Sequence, residues 1–191
     1  MWIHLAALVC ALGTATLTPM ARVRRAGWGG IVLGFGLVAA WSRFQVIPDP
    51  MVLGAGVAVA MGVLLARPDL TLLAGIGAGA LAAFSTAVLF VMGLPVPSAL
   101  LLSLGTLVAS GLTAHRPGFA PASIQENSIL LVGALALALA AAPTVADGWR
   151  SADIINLNDA PGQPVDFGLW ITFGPSLLVM GAGYTLWWRR R

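Results

Sequence analysis

The chain reads as long apolar runs separated by short segments rich in proline and arginine. The clearest unit is residues Ile47 to Pro68, IPDPMVLGAGVAVAMGVLLARP, in which a proline-rich turn opens an apolar run and Arg67-Pro68 closes it. At roughly 1.5 Å per residue, such a run is just long enough to cross the hydrocarbon core of a bilayer when its ends snorkel. Related runs cover 2–18, 28–44, 51–66, 70–92, 98–114, 129–145 and 167–188. In lipid each must be a helix, because an unpaired backbone donor there costs several kcal/mol. The expected fold is therefore all-α: a polytopic integral membrane protein of about seven transmembrane helices, forming one domain over 1–191. The first run has no positive charge before it, and Arg22, Arg24 and Arg25 follow it. It reads as a retained helix rather than a secretory signal.

Charge fixes an orientation. With the N-terminus outside and the C-terminus cytoplasmic, Arg22, Arg24, Arg25, Arg67, Arg116, Arg189, Arg190 and Arg191 fall inside, and only Arg43 and Arg150 fall outside. That asymmetry follows the positive-inside rule and itself favours an odd number of spans. Trp2, Trp41, Trp149 and Trp170 then lie near the outer surface, with Trp28, Trp187 and Trp188 near the inner one. Indoles prefer both membrane interfaces, so interfacial anchoring accounts for them.

Composition agrees. Of the residues, 59% are hydrophobic and 9% charged, against about 25% charged in soluble domains. The basic residues are all arginine, placed singly or in threes at the ends of apolar runs. That placement fits membrane orientation and excludes nucleic acid as the expected partner. The lack of lysine beside abundant Ala, Gly and Arg suggests a GC-rich bacterial genome, hence a multi-pass protein of a bacterial inner membrane. The single cysteine, Cys10, allows no internal disulfide.

A repeat is suggested. Ile47-Pro48-Asp49-Pro50, with its run to Arg67-Pro68, resembles Leu94-Pro95-Val96-Pro97 and the run to Arg116-Pro117; the seventh run is a looser third copy. The pattern predicts one leading helix followed by three helical hairpins. Turn chemistry alone accounts for the prolines equally well.

Chemistry is sparse. No charged residue lies near the middle of a run, and no metalloprotease, P-loop or Gly-x-Ser-x-Gly motif is present. His4 and His115 belong to opposite faces. The string Asp153 to Asp159 lacks the spacing and glycine of a calcium loop. No catalytic, cofactor or metal residue is expected, and the chain reads as a non-enzyme. Small residues four apart (Gly30 and Gly34; Gly54, Ala58 and Gly62; Gly75 and Gly79) predict close helix packing. Ser103, Thr106, Ser110 and Thr113 form a hydroxyl stripe within about 80° of arc on the fifth helix. Gly174-Pro175 predicts a kink in the seventh, flanked by Thr172 and Ser176. The stripe, with Thr172, Pro175 and Ser176, is a candidate solute path; the hydroxyls serve equally as helix-packing hydrogen bonds. The long outer connection 146–166, carrying Trp149, Arg150, Asp153 and Asp159, is a candidate partner-facing loop.

Three functions follow. The first is a small transporter or permease-like module for an uncharged or weakly polar solute. The second is a non-catalytic subunit of a larger membrane complex, or a homo-oligomer, docking through small-residue faces and the acidic loop. The third, weakest because no positioned base or metal is visible, is a membrane-embedded lipid-modifying enzyme. Lipid bilayer is the one partner common to all.

Overall fold

The computed structural model describes residues 2–22, 25–42, 49–113, 122–154 and 167–190. Every regular element among them is a helix: α1 (Trp2–Arg22), α2 (Arg25–Ser42), α3 (Pro50–Ala66), α4 (Thr71–Val91), α5 (Val96–Thr113), α6 (Ala122–Ile154) and α7 (Phe167–Trp188). Trp2–Ala21, Thr71–Val91 and Ile124–Ala142 are each long and apolar enough to cross a membrane. Arg25–Ala40, Pro50–Ala66 and Val96–Leu112 are apolar but shorter.

The turns follow from their residues. Asp49 caps α3, its Oδ1 accepting from the Met51 N–H at 2.8 Å, and Pro50 occupies the first helical position, where no N–H is needed. α4 ends in a Schellman turn: Leu94 N–H donates to the Leu89 carbonyl at 3.1 Å and Gly93 N–H to that of Phe90 at 2.9 Å. Gly93 has φ of 99°, a left-handed conformation that glycine adopts without a Cβ penalty. Between α3 and α4, exposed Arg67 and Asp69 pair at 3.5 Å, an interaction worth little in water.

Helix contacts fix the directions. Gly13 and Leu17 of α1 face Leu81 and Gly77 of α4, so these two run antiparallel. Gly30 of α2 lies against Leu72 to Ile76 of α4, and Gly79 against Ile31 and Phe35, so α2 and α4 run parallel. On α3, Gly54 meets Ala136 and Ala140 of α6 while Met61 meets Gly133, an antiparallel pair. Gly62 meets Met180 and Gly183, and further along the Leu65 carbonyl accepts from Arg190, so α3 and α7 run parallel. Within each of these pairs, odd helices thus run one way and even helices the other. The start of α2 and the ends of α3 and α7 share one end of the bundle, and with them Arg25, Arg67, Arg189 and Arg190.

The helices form two groups. In one, α4 packs on α1, α2 and α5; in the other, α3 packs on α6 and α7. α1 joins the groups chiefly through α6, and α3 touches α4 only lightly. The core runs through both: Leu17, Met61, Leu64, Val88, Val132 and Leu139 are fully buried. The exterior is apolar as well. Leu178 is 75% exposed, and Val32 and Leu101 are each 73% exposed.

Two expectations are corrected here. The first of the three hairpins is not a packed pair: among the described residues α2 and α3 do not touch, because α2 lays its glycines on α4 and α3 lays its own on α6 and α7, whereas α4 with α5 and α6 with α7 do touch. The sixth helix is also longer than 129–145. It spans Ala122–Ile154, so its backbone is helical through Trp149, Arg150 and Asp153, where the sequence suggests a loop. Helical hydrogen bonding does not stop where hydropathy falls, so polar residues can prolong a helix beyond its apolar run. Asp159 lies outside the described residues.

Candidate functional site

α5 packs on α1 and α4, and the hydroxyls of Ser103, Thr106 and Ser110 turn back on their own helix. Ser103 Oγ donates to the Ala99 carbonyl at 2.9 Å, Thr106 Oγ1 to Leu102 at 2.9 Å, and Ser110 Oγ to Leu107 at 3.0 Å. Ser103 and Ser110 are buried, and the Thr113 side chain lies outside the described residues. The same pattern serves Thr14 and Thr18 of α1, which bond the Cys10 and Thr14 carbonyls at 2.7 Å, and Thr86 of α4. A hydroxyl bonded this way enters an apolar interface without leaving a donor unsatisfied.

In α7, Pro175 lies inside the helix and is exposed. Ser176 is fully buried and donates to the Phe173 carbonyl at 2.8 Å. The Thr172 side chain lies outside the described residues. The two halves of the candidate solute path are not brought together: α5 packs on α1 and α4, α7 on α3 and α6, and among the described residues the two helices do not touch.

The glycine pairs are used internally. A Cβ on Gly34 or Gly79 would collide with the facing backbone of α4 or α2 respectively, and one on Gly54 with α6. A second glycine set faces outward. Gly29 and Gly36 of α2, Gly105 of α5, and Gly174 and Gly181 of α7 have nothing within 4 Å of a built Cβ.

Two cavities stand out among the described residues. One, of about 230 Å³, is an apolar cleft between α1, α3 and α4, floored by Gly56, Ala60 and Gly77 and walled by Leu17, Val52 and Phe84. The other, of about 220 Å³, sits at the arginine-bearing end of α3, α6 and α7, lined by Leu64, Leu65, Pro68, Glu126, Ile129, Trp187 and Arg190. Arg190 is held in place there: Nη2 donates to the Leu65 carbonyl and Nε to that of Leu186 at 3.2 Å. Both carbonyls belong to helix C-terminal turns, where partial negative charge favours a cation. Trp187 packs beside Tyr184 and Trp188, with ring centroids at 5.5 and 6.2 Å.

Glu126 was not among the expected site residues. It lies ahead of Ile129, where the apolar run begins, yet it belongs to α6. The available signal was Ser123-x-x-Glu126, the spacing of a capping box, which marks a helix start before the apolar residues. No family model, curated protein or solved structure matches the chain.

Proposed function

We propose that the chain is a seven-span integral membrane protein of a bacterial inner membrane, N-terminus outside and C-terminus cytoplasmic, acting as a non-catalytic subunit of a larger membrane assembly. Support for the spans comes from the alternating helix directions, the apolar exterior and the arginines gathered at one end. A reporter fused after Arg191 tests the orientation: it is active only in a form that works in the cytoplasm. An active periplasmic fusion there overturns the topology.

The subunit reading rests on one observation, the outward glycines. Gly29 and Gly36, and Gly174 and Gly181, stand seven apart on the outside of α2 and α7, beside Val32, Leu33 and Leu178. Helices in membranes associate by close backbone approach at small residues, since lipid supplies no hydrophobic drive between them. The expected docking surface is therefore this outer set, in place of the internal pairs at Gly30, Gly54 and Gly75. The test is mild-detergent purification: a partner, or a second copy, co-purifies with the wild type and is lost from Gly29→Leu/Gly36→Leu or Gly174→Leu/Gly181→Leu. A monomer throughout overturns the reading.

A solute-permeation reading keeps one observation in its favour, the Pro175 break in α7. Proline supplies no N–H to the carbonyl four residues back, and such breaks line binding sites in transporters. Flux through reconstituted vesicles, altered by Pro175→Ala or Ser110→Leu at unchanged protein yield, is its test.

A further inference from the structure

The cavity at the arginine-bearing end carries features that a packing role leaves unused. A carboxylate, a guanidinium and an indole line one small space at the ends of three helices. Under the membrane reading, on which this inference rests, that end lies at head-group level. Burial of Trp187 fixes the indole, and two carbonyls fix the guanidinium. Arg190 uses one N–H of Nη2 and that of Nε; a guanidinium has five N–H groups, so three remain for an anion. Glu126 has contacts of its own. A carboxylate's two oxygens accept about four donors, so a further cation is an addition rather than a replacement.

Opposite charges in one cavity select a ligand that is itself dipolar. A purely anionic head group would place charge near Glu126, and a purely cationic one near Arg190. Arg190 suits a phosphate, which planar guanidinium N–H groups recognise well. Glu126 suits an ammonium that still carries N–H donors, and the face of Trp187 adds a cation–π contact. Leu64, Leu65 and Ile129 form an apolar remainder suited to the glycerol and the first methylenes.

We propose that this cavity binds the head group of an amine-bearing phospholipid, with the phosphate at Arg190 and the ammonium at Glu126 and Trp187. A choline head group shares the phosphate but offers Glu126 no N–H. A glycerol head group lacks the cation.

The test is native mass spectrometry of the full-length chain in detergent, titrated with dioleoyl phosphatidylethanolamine, phosphatidylcholine and phosphatidylglycerol. The expected result is retention of the ethanolamine lipid at about tenfold lower concentration, the scale of one charge-assisted hydrogen bond. Glu126→Gln should bring the ethanolamine lipid to the choline level, and Arg190→Ala should weaken all three. Equal retention of the three lipids by the wild type overturns the proposal whatever the variants do. So does an undiminished ethanolamine preference in Glu126→Gln. Soluble O-phosphoethanolamine should not compete at lipid concentrations; effective competition would assign the pocket to a soluble ligand and overturn the lipid site. A chain that stays dispersed without detergent would sink the membrane reading itself, which is a different failure from a detergent-requiring chain with no head-group preference.

Discussion

Gly62 of α3 and Gly183 of α7 meet backbone to backbone. A Cβ built on Gly183 would strike the Gly62 carbonyl, and one built on Gly62 would stand 2.7 Å from the Val179 carbonyl and 2.8 Å from the Met180 Cα. No side chain can yield here, because what faces each glycine is main chain. Either helix must move if the other gains a single carbon.

Substitution at this contact should therefore be costly. Gly183→Leu or Gly62→Leu is expected to destabilise the fold by about 1–3 kcal/mol or more, the range of overpacked interiors. Gly181→Leu, two residues from Gly183 but facing open space, should stay within about 0.5 kcal/mol. Thermal unfolding of the detergent-solubilised proteins separates the two. Equal losses at 181 and 183 would contradict the packing described.

The α5 hydroxyls should be dispensable for stability. Ser103, Thr106 and Ser110 each bond a carbonyl of their own helix, and that carbonyl keeps its main-chain role when the hydroxyl goes. Ser103→Ala and Ser110→Ala are expected to cost less than about 1 kcal/mol each, in line with membrane hydrogen bonds generally. The same variants leave flux unchanged if the stripe serves packing alone.

At the end of α4, Gly93→Ala should cost about 1–2 kcal/mol, because a Cβ is penalised at φ of 99°. Gly93→Asn should cost less, since asparagine tolerates the left-handed region better than other side chains. Limited proteolysis between α4 and α5 would report the difference.

Cys10 is fully buried between the helices. A maleimide should leave it unmodified in the folded chain and modify it after denaturation. The wild type thus supplies a silent background, against which cysteines introduced at Arg67 and Asp49 should label from opposite sides of sealed vesicles. Labelling of both from one side would rule out α3 as a span.

Seven helices were legible because the solvent they suit leaves a crude mark: any segment that avoids charge for long enough stands out. The ends of α3 and α4 came through closely, since Asp49-Pro50 and Arg67-Pro68 are both chemical stops and hydropathy stops. α6 came through poorly. Glu126, Asn127 and Ser128 at one end and Asp147 to Asp153 at the other are polar but helical, and a hydropathy reading cannot tell a wet helix from a wet loop. Close packing at Gly30, Gly34, Gly75 and Gly79 was visible from spacing. Which helix each would meet was not, because spacing along one helix says nothing of its neighbour. Gly54 and Gly62 show this: eight residues apart on α3, they face α6 and α7 respectively. The cavity at the arginine-bearing end was invisible for the same reason, because α3 is distant in sequence from α6 and α7, which complete it.

The division into two groups bears on how the chain is made. α3 is synthesised immediately before α4, yet its partners are α6 and α7, which emerge last. During biosynthesis α3 must wait beside the nascent chain with Gly54 and Gly62 uncovered, while α4 already has α1 and α2 to settle on. A ribosome-arrested chain ending before α6 should therefore hold a finished half and one orphan helix. That orphan is where quality-control proteases or an insertion chaperone would first take hold.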